Sequence, residues 1–194
     1  MLVFRYRNTN CFFIKSSNTD ALLAVDAGWP CTLFEYAKNL KTIGYGLDRI
    51  SWAMVTHFHM DHAGLIGEFM DMGVSCILFE NQGDSIDVME RMILKDRNYR
   101  NYRRIEKTGF TGVDTGSSAR FFDTIGIRGR AVVTPGHSDD SVSFVTEDGE
   151  ALIGDLSPID QVMPDDSKTL GCYETLRRHN VRRVYPSHAP TFMI

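Results

Sequence analysis

The run His57-Phe58-His59-Met60-Asp61-His62 puts three imidazoles and a carboxylate within six residues, directly after the apolar stretch SWAMVT. A strand would alternate these side chains across two faces, and a helix would spread them over more than one turn. Packing explains neither arrangement. A loop at a strand end, folded around a metal ion and followed by a helix beginning near Ala63, brings all four together. Such strand-end loops are where chemistry usually sits.

Three more residues repeat the pattern: His137 in TPGHSDDS, Asp155 in LIGDLS and His188 in YPSHAP. Each immediately follows an expected strand. Taken singly, each is most simply a solvated loop residue, but four strand-end loops carrying ligand-type side chains are not explained that way. Imidazoles with carboxylates suit zinc and, less exclusively, iron or manganese. Cys11, Cys31, Cys76 and Cys172 are widely spaced with no CxxC pair, which indicates neither a zinc knuckle nor a disulfide framework.

Short apolar runs divided by Gly, Asp, Asn and Pro predict strands at 2–6, 11–15, 21–25, 50–55 and 75–79, and again at 120–122, 130–134, 141–146, 150–154 and 182–185. EDGE supplies a tight turn between the third and fourth of the later set. Helices are expected at about 32–41, after the histidine run, over 82–107 and at about 168–179. This order predicts an α+β chain in which two mixed β-sheets pack face to face with helices outside, a four-layer αββα sandwich. At 194 residues, the expectation is one domain spanning 1–194.

These motifs resemble the metallo-β-lactamase-fold hydrolases, whose HxHxDH pattern followed by His, Asp and His is matched here in order. VDAG at 25–28 and NCFFI at 10–14 resemble the family's early Asp-x-Gly and its Asn-x-aromatic strand opening. The resemblance implies that His57, His59 and His137 hold one metal, that Asp61, His62 and His188 hold the other, and that Asp155 bridges them. Two divalent metal ions follow, zinc first, with iron or manganese also compatible. Two metals about 3.5–4 Å apart lower the pKa of a shared water to ~7, so the implied reaction is hydrolysis by a bridging hydroxide. Asp61 is the candidate catalytic residue, orienting that hydroxide or passing a proton. Asp26 is either the carboxylate that takes the second N–H of a metal-bound imidazole or a turn-forming residue before Gly28.

Composition narrows the partners. With 21 basic and 25 acidic side chains, the chain lacks the basic excess of a dedicated nucleic-acid binder. No apolar run approaches the ~18 residues of a membrane helix, and Arg5 and Arg7 interrupt any signal-peptide core, so a cytoplasmic protein with a small-molecule substrate is expected. The sequence carries no signal for oligomeric state. Arg97, Arg100, Arg104 and Lys107 fall at helical spacing, read first as a solvated charged face and otherwise as a contact for an anionic substrate. His179, at the end of a predicted helix beside basic residues, is read as a surface residue.

The absence of a cysteine from the ligand set points away from the family's antibiotic-degrading members. Ile194 follows His188 by six residues, so the appended domains that set substrate in glyoxalase II and nuclease relatives are not expected, and a lid is expected between 62 and 137. The resulting expectation is a hydrolase of a small ester, lactone, thioester or phosphodiester. Two alternatives stand beside it: a mononuclear iron oxidoreductase of the same fold resembling the sulfur dioxygenases, and a non-catalytic metal-binding protein.

Overall fold

Alternate residues of the early strands face opposite ways, and both sets are apolar, so these strands must be covered on two sides. A computed structural model describing residues 1–194 shows what covers them. In chain order the elements are β1 (Leu2–Tyr6), β2 (Thr9–Lys15), β3 (Leu22–Val25), α1 (Leu33–Thr42), β4 (Ile50–Met54), α2 (Met60–Ala63), α3 (Ile66–Asp71), β5 (Ser75–Phe79) and α4 (Gly83–Lys95). There follow β6 (Phe110–Val113), α5 (Ser118–Thr124), β7 (Gly129–Val133), β8 (Val142–Thr146), β9 (Glu150–Gly154), α6 (Ser167–Arg178), β10 (Arg183–Pro186) and β11 (Phe192–Met193).

Strands β1 to β6 form one sheet in sequence order, and β11-β10-β9-β8-β7 form the second. Both are mixed. In the first, β1, β2 and β3 run antiparallel, whereas β3, β4, β5 and β6 pair in parallel. In the second, only β9 and β10 are parallel.

Three apolar layers fill the three gaps of an αββα sandwich. Between the sheets, Phe12, Leu23, Val25, Met54, Ile77 and Phe79 meet Phe122, Ala131, Val142, Phe144 and Leu152. On the outer face of the first sheet, Cys11, Phe13, Leu22, Ala24 and Ala53 pack against Tyr36 and Leu40 of α1, Phe69 of α3 and Ile86, Met89 and Ile93 of α4. On the outer face of the second, Val132, Val145, Ala151, Ile153 and Val184 pack against Cys172, Tyr173 and Leu176 of α6. Each fully buried Phe or Leu contributes about 1.5–3 kcal/mol. The 2-residue alternation of the strands thus sorts one apolar sequence into two cores.

Four expectations are corrected. The second half of the histidine run is not loop, because Asp61 and His62 lie in the short helix α2. The helix expected over 82–107 ends at Lys95. Beyond it the chain forms a 3-10 turn at Arg97–Tyr99 and an irregular strap to another at Lys107–Gly109, so Arg97, Arg100, Arg104 and Lys107 share no helical face. The strap is tied down by the buried Glu90 of α4, whose carboxylate accepts the Ile105 N–H at 2.8 Å and the Arg104 guanidinium at 2.8 and 3.0 Å. Residues 120–122 are helical, not a strand: Phe121 packs edge-on to Trp52 and Phe122 to Phe144 from α5. Finally, β6 and the two-residue β11 are additional strands. Thr111 and Gly112 hide β6 from a hydrophobic-pattern reading.

No helix is long and apolar enough to cross a membrane.

Candidate metal centre

The site lies where the two sheets meet at one end. Asp26 follows β3, His57 follows β4, His137 lies in the loop after β7, Asp155 follows β9, and Ser187 and His188 follow β10. The carboxyl ends of the parallel pairs β3–β4 and β9–β10 therefore converge, the position at which parallel sheets present ligand sites. Backbone bonds stitch the sheets together there. Val142 N–H donates to the Thr56 carbonyl at 2.8 Å and Asn10 N–H to the Ser187 carbonyl at 2.8 Å, while Asp140 accepts the Phe58 N–H at 2.7 Å.

All seven expected ligand residues come together, in two groups: His57, His59, His137 and Asp155, and Asp61, His62 and His188. Within the first, His59 Nδ1 lies 3.0 Å from His57 Nε2 and 3.1 Å from His137 Nε2. Asp155 faces both groups. Its Oδ2 lies 3.9 Å from His57 Nε2 and 3.7 Å from His137 Nε2, and its Oδ1 lies 3.2 Å from both His62 Nε2 and His188 Nε2. Asp61 Oδ2 is 3.0 Å from His188 Nε2 and 3.4 Å from His62 Nε2.

Outer partners assign the imidazole tautomers. His62 Nδ1 donates to Asp26 Oδ2 at 2.9 Å. His188 Nδ1 donates to the Asn8 carbonyl at 2.7 Å. The Thr56 hydroxyl donates to Asp26 and accepts from His57 Nδ1 at 3.0 Å. Each of these rings therefore turns its Nε2 lone pair inward. His62 Nε2 and Asp155 Oδ1 are buried with no hydrogen-bond partner although they face one another. Two acceptors aimed at one small space fit a cation between them, and imidazoles oriented by carboxylate and carbonyl acceptors are the usual setting of a metal ligand. The residues present fit a metal on both counts.

The electrostatics agree in sign. Burial disfavours a charged His62 ring, but Asp26, Asp155 and Asp61 outweigh it and draw positive charge to the ring. The close carboxylates of Asp155 and Asp61 push His188 up to about 10 against the opposing effect of its burial. Burial also opposes ionisation of Asp61 and Asp155, yet His188 and His62 hold both well below the usual carboxylate range. His57 goes the other way, because its burial, and then the neighbouring His62, disfavour a proton.

Asp26 forms the turn before Gly28 and also accepts the outer N–H of the His62 ring. It is fully buried in a left-handed turn conformation (φ 70°), and its carboxylate accepts from the Thr56 N–H at 2.7 Å, the Thr56 hydroxyl, His62 and the Ser187 hydroxyl at 3.3 Å. Thr56, Ser187, Asp140 and the Asn8 carbonyl carry no signal in the sequence as site residues. Thr56 adjoins the histidine run and is legible as a neighbour only. Gly154 carries a second requirement: at φ 57° a Cβ would lie 2.6 Å from Thr56 Oγ1, so glycine lets the end of β9 lie directly against Thr56. His179 stays apart from the site, at the C-terminal cap of α6.

Against known proteins, the model of the metallo-beta-lactamase superfamily matches residues 5–188. The lactamase-like protein nscB of Arthroderma gypseum is 26% identical over 189 residues, covering 94% of this chain and 50% of the relative. The thioesterase pkgB of Emericella nidulans is 23% identical over 146 residues, covering 75% of this chain and 34% of the relative. Among solved structures, a metallo-beta-lactamase family protein from Thermus thermophilus superposes with a TM-score of 0.72 at 19% identity, covering 95% of this chain and 70% of that one. That likeness is one of fold. The chain spans about half the length of the curated relatives it matches.

Proposed function

The chain belongs to the metallo-β-lactamase superfamily, and from that membership we propose that it is a cytoplasmic dinuclear-metal hydrolase acting on a small ester, lactone, thioester or phosphodiester. The observation that carries the reading is Asp155, whose two oxygens face two separate ligand groups. His57, His59 and His137 would hold one ion, Asp61, His62 and His188 the other, with Asp155 common to both. Zinc suits this nitrogen-rich donor set best, with iron or manganese next. When bound, two such ions supply a water made acidic enough to attack at neutral pH and a Lewis acid for the substrate oxygen.

The chain's own residues supply the rest. Asp26, Thr56 and the Asn8 carbonyl hold the rings of His62, His57 and His188 in the tautomers that leave Nε2 free. Asp61, at 3.0 Å from His188 Nε2 and with Thr9 Oγ1 3.5 Å from its carboxylate, is placed to orient the attacking group or to pass its proton. Among the substrates named, the relative called a thioesterase favours the thioester.

A hydrolysis screen with zinc- and manganese-loaded protein tests the reading. Ester, lactone, thioester and bis-aryl phosphodiester substrates are compared with and without a chelator. Metal-dependent turnover in one class supports it, and turnover unaffected by chelation removes it. A mononuclear iron oxidoreductase is the runner-up; the presence of all seven ligands, including a carboxylate shared between two groups, favours the dinuclear site.

A further inference from the structure

The turn between β1 and β2 is fastened to the metal centre. Asn8 supplies the carbonyl that orients His188 at 2.7 Å, and the Asn10 side chain donates to the Pro186 carbonyl at 3.0 Å. Arg7, one residue before Asn8, has the left-handed backbone (φ 54°) that the two-residue turn between the paired Tyr6 and Thr9 requires. Its guanidinium lies over the Trp29 ring, 5.7 Å from the centroid. Trp29 is held in turn by its backbone N–H, which donates to the Tyr6 hydroxyl at 2.8 Å. The adjoining Gly28 carbonyl takes the Gly64 N–H immediately after α2, so Arg7 stands on the side of the site formed by Asp61 and His188.

The counter-ion of Arg7 is Glu35 of α1, at 3.2 Å, with 42% and 41% of the two side chains exposed. Such a solvated pair contributes little to stability, so a better partner displaces it readily. A carboxylate or phosphate group matches the planar guanidinium with two parallel hydrogen bonds, and the Trp29 face keeps the plane in place. We propose that Arg7 is a specificity-determining residue that takes an oxyanion carried by the substrate away from the scissile bond, with Glu35 as the competitor it releases. The assignment rests on the thioester form of the hydrolase reading above.

The test compares metal-loaded wild type, Arg7→Gln, Arg7→Lys and Glu35→Gln on three thioesters: butyryl-N-acetylcysteamine, which is neutral; succinyl-N-acetylcysteamine, with a carboxylate on the acyl side; and butyryl-phosphopantetheine, with a phosphate on the thiol side. The readout is kcat/KM for each anionic substrate relative to the neutral one. For one of the two, Arg7→Gln lowers the ratio about tenfold, as loss of a charge-assisted bidentate contact requires. Arg7→Lys recovers part of it, and Glu35→Gln raises it. Calorimetric binding of the matching non-hydrolysable thioether follows the same order without turnover, and the responding arm tells carboxylate from phosphate. Ratios unchanged by Arg7→Gln in both arms overturn the assignment alone, as does an equal fall in Arg7→Gln and Glu35→Gln, which marks a structural ion pair. No turnover of any thioester by the wild type removes the thioesterase reading and this assignment with it.

Discussion

Asp26 Oδ2 lies 2.9 Å from His62 Nδ1, and both side chains are completely buried. A buried carboxylate that also accepts from Thr56 and Ser187 fixes one imidazole from the side remote from the metal position. Asp26 therefore sets the orientation and basicity of His62.

Asp26→Asn is the sharp variant, because asparagine tolerates the left-handed backbone of this position and leaves the turn intact. Loss of an outer-shell partner of this kind typically weakens metal binding about 10–100-fold. Competition with a chromogenic zinc chelator should show that loss for one of the two equivalents, with the circular dichroism unchanged. An unaltered affinity would assign Asp26 to the turn alone.

Gly154→Ala meets two obstacles, a positive φ and a Cβ 2.6 Å from Thr56 Oγ1. Strain of this sort costs about 1–3 kcal/mol, read as a lowered midpoint in urea unfolding. Since Thr56 bonds both Asp26 and His57, metal affinity should fall too. The contrasting control is Gly44→Ala, which has φ 88° but nothing within 4 Å of its Cβ; it should lose stability without touching the metal.

Glu68 of α3 is half-buried among Cys31, Asp71 and Arg103, and burial pushes its carboxyl up to about 7. Its Oε2 has no partner. A carboxyl raised on folding binds its proton more tightly in the native state, so its contribution to stability is complete below the ordinary value near 4.5 and is lost as pH rises through about 7. Glu68→Gln should accordingly raise Tm more at pH 8 than at pH 5. Equal shifts at the two pH values would show that the charge on Glu68 costs nothing.

Asp61→Asn preserves shape and removes the carboxylate charge. If Asp61 receives the proton released during attack, kcat at saturating metal falls by about 10²-fold or more. A full rate on every substrate that the wild type cleaves would end that role while leaving Asp61 as a ligand.

Much of the site is legible in the sequence because the ligands sit at strand ends, where a two-residue period stops and a polar loop begins. His57, Asp155 and His188 follow apolar strands at short distance, so sequence order alone suggests convergence, and the family pattern supplies the pairing. Residues 96–107 read as helix because the helical spacing of Ile86, Met89 and Ile93 runs on into Arg97, Arg100, Arg104 and Lys107 at the same spacing. What places the strap is Glu90, 14 residues from the guanidinium and 15 from the N–H that it binds, and no local pattern reports such a partner. Phe121 and Phe122 look like a strand for a related reason: their apolar character reflects burial at the end of the sandwich, which helix and strand share. The Thr56–Asp26 contact is equally hidden, since it joins the ends of β3 and β4, whose adjacency depends on parallel pairing.

The central claim, two ions sharing Asp155, is tested most directly by metal content. Protein saturated with zinc and freed of excess is assayed by plasma mass spectrometry alongside Asp155→Ala. The expected result is about two equivalents per chain in the wild type and a marked loss at both positions in Asp155→Ala. One equivalent in the wild type, kept undiminished by Asp155→Ala, would contradict it.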